Sequence, residues 1–139
     1  MDLTGAISMR LGEHALHTWD VAVEYDKSAE VSADAVNLLI DNVAGFLAPR
    51  LGKPQDPAFR ARIRTTEPAR DYLLVAGPEK VTMSDWTAAD AAEGDSDITM
   101  PAAALIRLSY GRMDAEHTPA GVSAEPAELD TLRVIFPGF

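Results

Sequence analysis

The chain opens on a helical period. Leu11, Ala15, Trp19, Ala22 and Val23 recur at helical steps and predict a helix from about Thr4 to Tyr25. Its other side is polar. Taking Glu13 as zero, His17 falls at ~40°, Asp20 at ~-20° and Glu24 at ~20° around the axis. Gly12 costs such a helix roughly 1 kcal/mol against alanine and leaves room for a close neighbour. A second helix begins after Ser32, a good N-cap, and buries Val36, Leu39, Ile40, Val43, Phe46 and Leu47. Pro49 and Gly52 mark its end.

The period then changes from helical to alternating. Phe59-Arg60-Ala61-Arg62-Ile63-Arg64-Thr65 sets three arginines on one side and apolar residues on the other, a half-buried strand with a solvated arginine face. Asp71–Val75 and Lys80–Ser84 read as further strands, separated by turns at Glu67-Pro68 and Gly77-Pro78. Tight turns between short strands predict an antiparallel meander, with Ile98-Thr99-Met100 as a short fourth strand. Ala88 to Asp95 reads as a surface loop. Pro101 opens a helix that runs to Tyr110 and stops at Gly111. Met113 to Pro126 is polar loop. A last helix over Ala127 to Ile135 buries Leu129, Leu132 and Ile135, and Pro137-Gly138-Phe139 closes the chain. Trp19 and Trp86 read as core residues. The fold class expected is α+β, an N-terminal helix followed by a small α/β unit with a mainly antiparallel sheet and packed helices.

Composition narrows the functional classes. The 139 residues are 47% hydrophobic, enough for a core, and carry a net charge of -10. So acidic a surface argues against nucleic acid or an anionic membrane as partner. There is no cysteine, which excludes a disulfide framework, a thiolate metal site and a cysteine nucleophile. No apolar run approaches a membrane span and no signal peptide is visible, so a cytoplasmic protein is expected.

Candidate chemistry lies on the first helix. Glu13 and His17 are an i, i+4 pair, a spacing at which a carboxylate and an imidazole meet one divalent cation. The same stripe also reads as a solvated helix face, with Arg10 paired to Glu13 at the surface. Asp20 or Glu24 is placed to orient a ligand imidazole, or is simply solvated. The stripe faces nothing that the rest of the chain obviously supplies. Leu11, Trp19 and Val23 must nevertheless be covered, and a second copy of the chain would do so, giving a homodimer through this helix.

Arg10-Leu11-Gly12-Glu13-His14-Ala15-Leu16-His17-Thr18-Trp19-Asp20 resembles the metal-binding helix of the mycothiol-dependent maleylpyruvate isomerase family. Met100 to Arg112, ending in Gly111-Arg112, resembles a segment of that family's C-terminal domain, and Leu132 to Phe139 is similar to its last helix. The resemblance implies residues 1–27 as the last helix of a DinB-like bundle and residues 28–139 as a sterol-carrier-like domain. It implies a divalent metal, typically zinc, on Glu13 and His17, with mycothiol as thiol cofactor and a small-molecule substrate. A metal-activated thiol would add to an activated double bond, allow rotation and leave, which is cis/trans isomerisation. Arg112 would hold a carboxylate of substrate or cofactor. The family's earlier helices and their ligand histidine precede the motif and are not expected in this chain. His14, projecting ~60° from His17, and His117 remain as third-ligand candidates. The alternative is a non-catalytic module that binds a small apolar ligand or a protein partner.

Overall fold

The computed structural model describes residues 2–138, so Phe139 of the closing segment lies outside the described residues. The elements are α1 (Leu3–Tyr25), α2 (Ala33–Asn42), a π-helical turn (Val43–Leu47), α3 (Ala48–Leu51), β1 (Phe59–Thr66), β2 (Arg70–Ala76), β3 (Val81–Asp85), β4 (Ser96–Pro101), α4 (Ala102–Ser109) and α5 (Pro126–Ile135). Single 3₁₀ turns lie at Ala88–Asp90 and Ala115–His117. This is a mixed α/β fold, with helices packed on an open four-stranded sheet.

Side chains set the helix starts. The Asp2 carboxylate accepts from the Gly5 N–H at 2.7 Å, and Ser32 Oγ accepts from the Ala35 N–H, satisfying donors that each first turn leaves over. The helical path ends where Pro49 and Gly52 are expected to mark it, running through Pro49 to Leu51 with Gly52 as its C-cap. Pro49 has no N–H to donate and its ring would press on a carbonyl one turn back. The wider π turn absorbs both problems, with the Ala48 N–H reaching Val43 O, and the helix continues to Leu51. Val43, Leu47 and Ala48 all stay buried through this adjustment.

The expected antiparallel meander is β1–β2–β3, and the fourth strand joins it in parallel. Sheet order is β3-β2-β1-β4, and β4 pairs parallel with β1 from Ala61↔Ser96 to Thr66↔Pro101. The chain leaves β3 at one edge and crosses the arginine side of the sheet to reach the other edge. That crossing corrects two expectations. The arginines are not simply solvated: Arg60 pairs with Asp95, Arg62 with Asp71 at 2.7 Å, and Arg64 with Asp97 at 2.6 Å. Trp86 is not core: it is half-buried, with the Arg62 guanidinium 3.6 Å from its ring centroid. Two hydrogen bonds between Thr99 and Ser123, of 3.1 and 2.7 Å, run along the outer side of β4.

The opposite face of the sheet builds the core. Ile63, Leu74, Met83, Ile98 and Met100 pack there beneath Leu105, Ile106 and the α2 residues Leu39 and Ile40. Tyr72 is buried too and donates to Ile40 O, and burial first, with Asp41 nearby, pushes its phenol up to about 12. Leu16, Trp19 and Val23 of α1 join the same cluster, so these residues are covered within one chain. Leu3, Ile7, Val21 and Tyr25 of α1 remain exposed. Among the described residues, no helix is long and apolar enough to cross a membrane.

Candidate functional site

The end of α4 positions the site. Tyr110 is its C-cap, and Gly111 follows at φ 73°, a left-handed turn that glycine adopts without strain. The Gly111 N–H then bonds Leu108 O, and the Arg112 N–H bonds Arg107 O at 2.8 Å, which together form a Schellman cap. A Cβ on Gly111 would also collide with the backbone of Gly138. This cap turns Arg112 back toward α1. Its Nε donates to both Asp20 oxygens, at 2.8 and 3.0 Å, and its Nη1 donates to Tyr110 O. The polar stripe of α1 therefore does meet a partner in this chain, contrary to the sequence expectation. The pairing is invisible in the sequence because 92 positions separate the two residues.

A cleft of about 160 Å³ lies at this junction, lined by Glu13, Leu16, His17, Tyr110 and Arg112. Glu13, His17 and Arg112, the residues that the sequence singled out, thus share one cleft. Tyr110 joins them unannounced. Gly12 is what admits it, since a Cβ there would collide with the Tyr110 hydroxyl. Burial raises the Tyr110 pKa, the negative charge of Glu13 raises it further, and Arg112 opposes both.

The donor set for a metal is incomplete. His17 Nδ1 lies 3.5 Å from Asp20 Oδ2, which orients the ring only loosely, and Glu13 lies 3.8 Å from Arg10. Glu13 and His17 suit two positions in the shell of a borderline cation. Catalytic zinc commonly takes three protein ligands, and no group of three or more His, Asp or Glu side chains that could hold a metal occurs among the described residues. Neither remaining histidine lines this cleft. His14 lines a groove with Leu11, Thr18 and Trp19, and His117 sits edge-on to Trp19 with its Nδ1 2.7 Å from Asp114 Oδ1.

Sequence reasoning missed Arg107 as well as Tyr110. Arg107 is 3% exposed, lies 4.6 Å from the centroid of the Trp19 ring and donates from Nη1 to His117 O. Seven of the eight α4 residues are buried, so no polar face marks the helix and nothing sets this arginine apart from an ordinary cation in a last turn. No protein-family model and no curated protein matches this chain.

Proposed function

We propose that the Glu13–His17–Tyr110–Arg112 cleft is this chain's share of a metal- and thiol-dependent isomerase or transferase site of the maleylpyruvate isomerase type. What supports the reading is the meeting of a carboxylate, an imidazole and a guanidinium from distant parts of the chain at a single cleft. Glu13 and His17 would hold two positions on a divalent metal, zinc in the first instance, with further ligands from water, the thiol or another polypeptide. Such a metal, when bound, lowers the pKa of a thiol such as mycothiol. The chain's own residues do the rest. Asp20 fixes the Arg112 guanidinium through Nε, and Tyr110 O fixes Nη1. Nη2 makes no hydrogen bond among the described residues and would receive a substrate carboxylate.

Calorimetric titration with Zn²⁺, read beside metal analysis, tests this. Wild type should bind one equivalent, and Glu13→Ala/His17→Ala should lose it. Equally poor binding by both would remove the metal from the reading.

A non-catalytic ligand-binding module is the second reading. It is favoured by a separate groove of about 580 Å³ between the start of α2, the β4–α4 junction and the loop around Pro119.

A further inference from the structure

Arg107 is buried, and among the described residues no carboxylate lies within ion-pair distance of it. Arg112, Arg133 and the three arginines of β1 each hold a carboxylate at 3.1 Å or less. Arg107 is less exposed than any of them and forms no ion pair among the described residues. Among the described residues its side chain makes one hydrogen bond, to His117 O, and its buried Nε has no partner. Burial pulls its pKa down, against the attraction of Glu30 and Asp114. A guanidinium held in this way is costly unless something anionic joins it.

The space beside it has the right form. A small cleft of about 70 Å³ is lined by Arg107, Lys27, His117, Thr118 and Trp19, with Glu30 and Glu116 at its sides. Glu30 is exposed, and Asp114 is engaged by the His117 ring and its backbone N–H. Glu30 and Pro119 also line the 580 Å³ groove, whose walls include Val31, Val36, Pro101 and Ala103. The cleft that holds Arg107 and the apolar groove therefore adjoin.

We propose that this pair of cavities is a binding site for a small carboxylic acid with a short apolar chain. Arg107 takes the carboxylate, Lys27 adds charge at the mouth, and the chain lies over Val36 and Ala103. The site is independent of the Glu13–His17 cleft and needs no metal.

The test uses the full chain carrying Trp86→Phe, so that Trp19, packed against Arg107, is the only indole. Sodium octanoate is the probe, 1-octanol its uncharged counterpart and acetate its truncated one. Octanoate should give a saturable change in Trp19 fluorescence and octanol none at the same concentration. Arg107→Gln should weaken octanoate by about tenfold or more. Should that variant fail to fold, two others decide. Ala103→Phe fills the groove without touching the guanidinium, and should weaken octanoate while sparing the feebler response to acetate. Glu30→Gln removes an opposing charge and should tighten octanoate. A non-saturable response to octanoate, equal responses to octanol and octanoate, or unchanged octanoate binding in both Ala103→Phe and Glu30→Gln, would overturn the proposal.

Discussion

Two arginines leave the same helix end and meet opposite fates. Arg112 reaches α1 and finds Asp20, while Arg107, joined to it by a backbone hydrogen bond, lies over Trp19 with no carboxylate in ion-pair contact among the described residues. One cleft is thus half-exposed and already neutralised inside the chain. The other holds a buried guanidinium that no carboxylate touches among the described residues, with Glu30 and Glu116 only at its sides. Low dielectric magnifies the difference, because an ion pair near the surface is worth little and an uncompensated buried charge costs much. The contrast suggests that Arg112 is held for orientation and Arg107 for attraction.

The sharpest way to break the comparison is at the cap that aims both arginines. Gly111→Ala forces a side chain into a left-handed conformation and against the Gly138 backbone, and should cost about 3 kcal/mol in denaturant unfolding. Gly12→Ala comes next. Helix propensity alone would favour alanine by about 1 kcal/mol, but the collision with Tyr110 should turn this into a loss of about 2 kcal/mol. Tyr110→Phe removes the colliding hydroxyl, so the double variant should recover most of that loss, and additivity in the cycle would refute the contact. Arg112→Leu should cost only about 1 kcal/mol, since the Asp20 carboxylate left behind can be hydrated.

Acid should act on the sheet more than on either cleft. Hydrogen bonding to Arg62 holds Asp71 below its ordinary pKa, and Arg70 does the same for Asp41. A depressed carboxylate stabilises the fold above its unfolded value, near pH 4, and loses that contribution as pH falls through the lower folded value. Unfolding midpoints should therefore drop below about pH 4, and Asp71→Asn should flatten the slope. The smallest effect is expected at the candidate ligands. Glu13→Gln/His17→Gln should change stability by less than about 0.5 kcal/mol, so any loss of Zn²⁺ uptake would be a property of the site itself.

What the sequence discloses follows from how local each interaction is. The α1 boundaries, the Ser32 cap, β1 and α5 are set by neighbours within a turn or by strict alternation, and they lie within a residue or so of where the residue pattern puts them. Pairing of β4 is not local. Its parallel register depends on a crossing segment whose Trp86 and Asp95 find arginine partners on β1, and nothing in Ile98-Thr99-Met100 states a direction. Glu13 and His17 were legible as a helical pair and Arg112 as part of a Gly-Arg end, but their convergence required the fold. Tyr110 and Arg107 lacked any signal, since each looks like an ordinary member of a buried helix end.

The doubled bond between Thr99 and Ser123 bears on how the molecule behaves in a crowd. An outermost strand with its amides and carbonyls bare is a template on which a stray extended peptide can grow into fibrils. Here a turn of the molecule's own polypeptide occupies that rim, and the defence lasts only while residues 118–124 stay in place. Protease nicking in that stretch would lay the rim open, and dye-detected fibril growth would be its first sign.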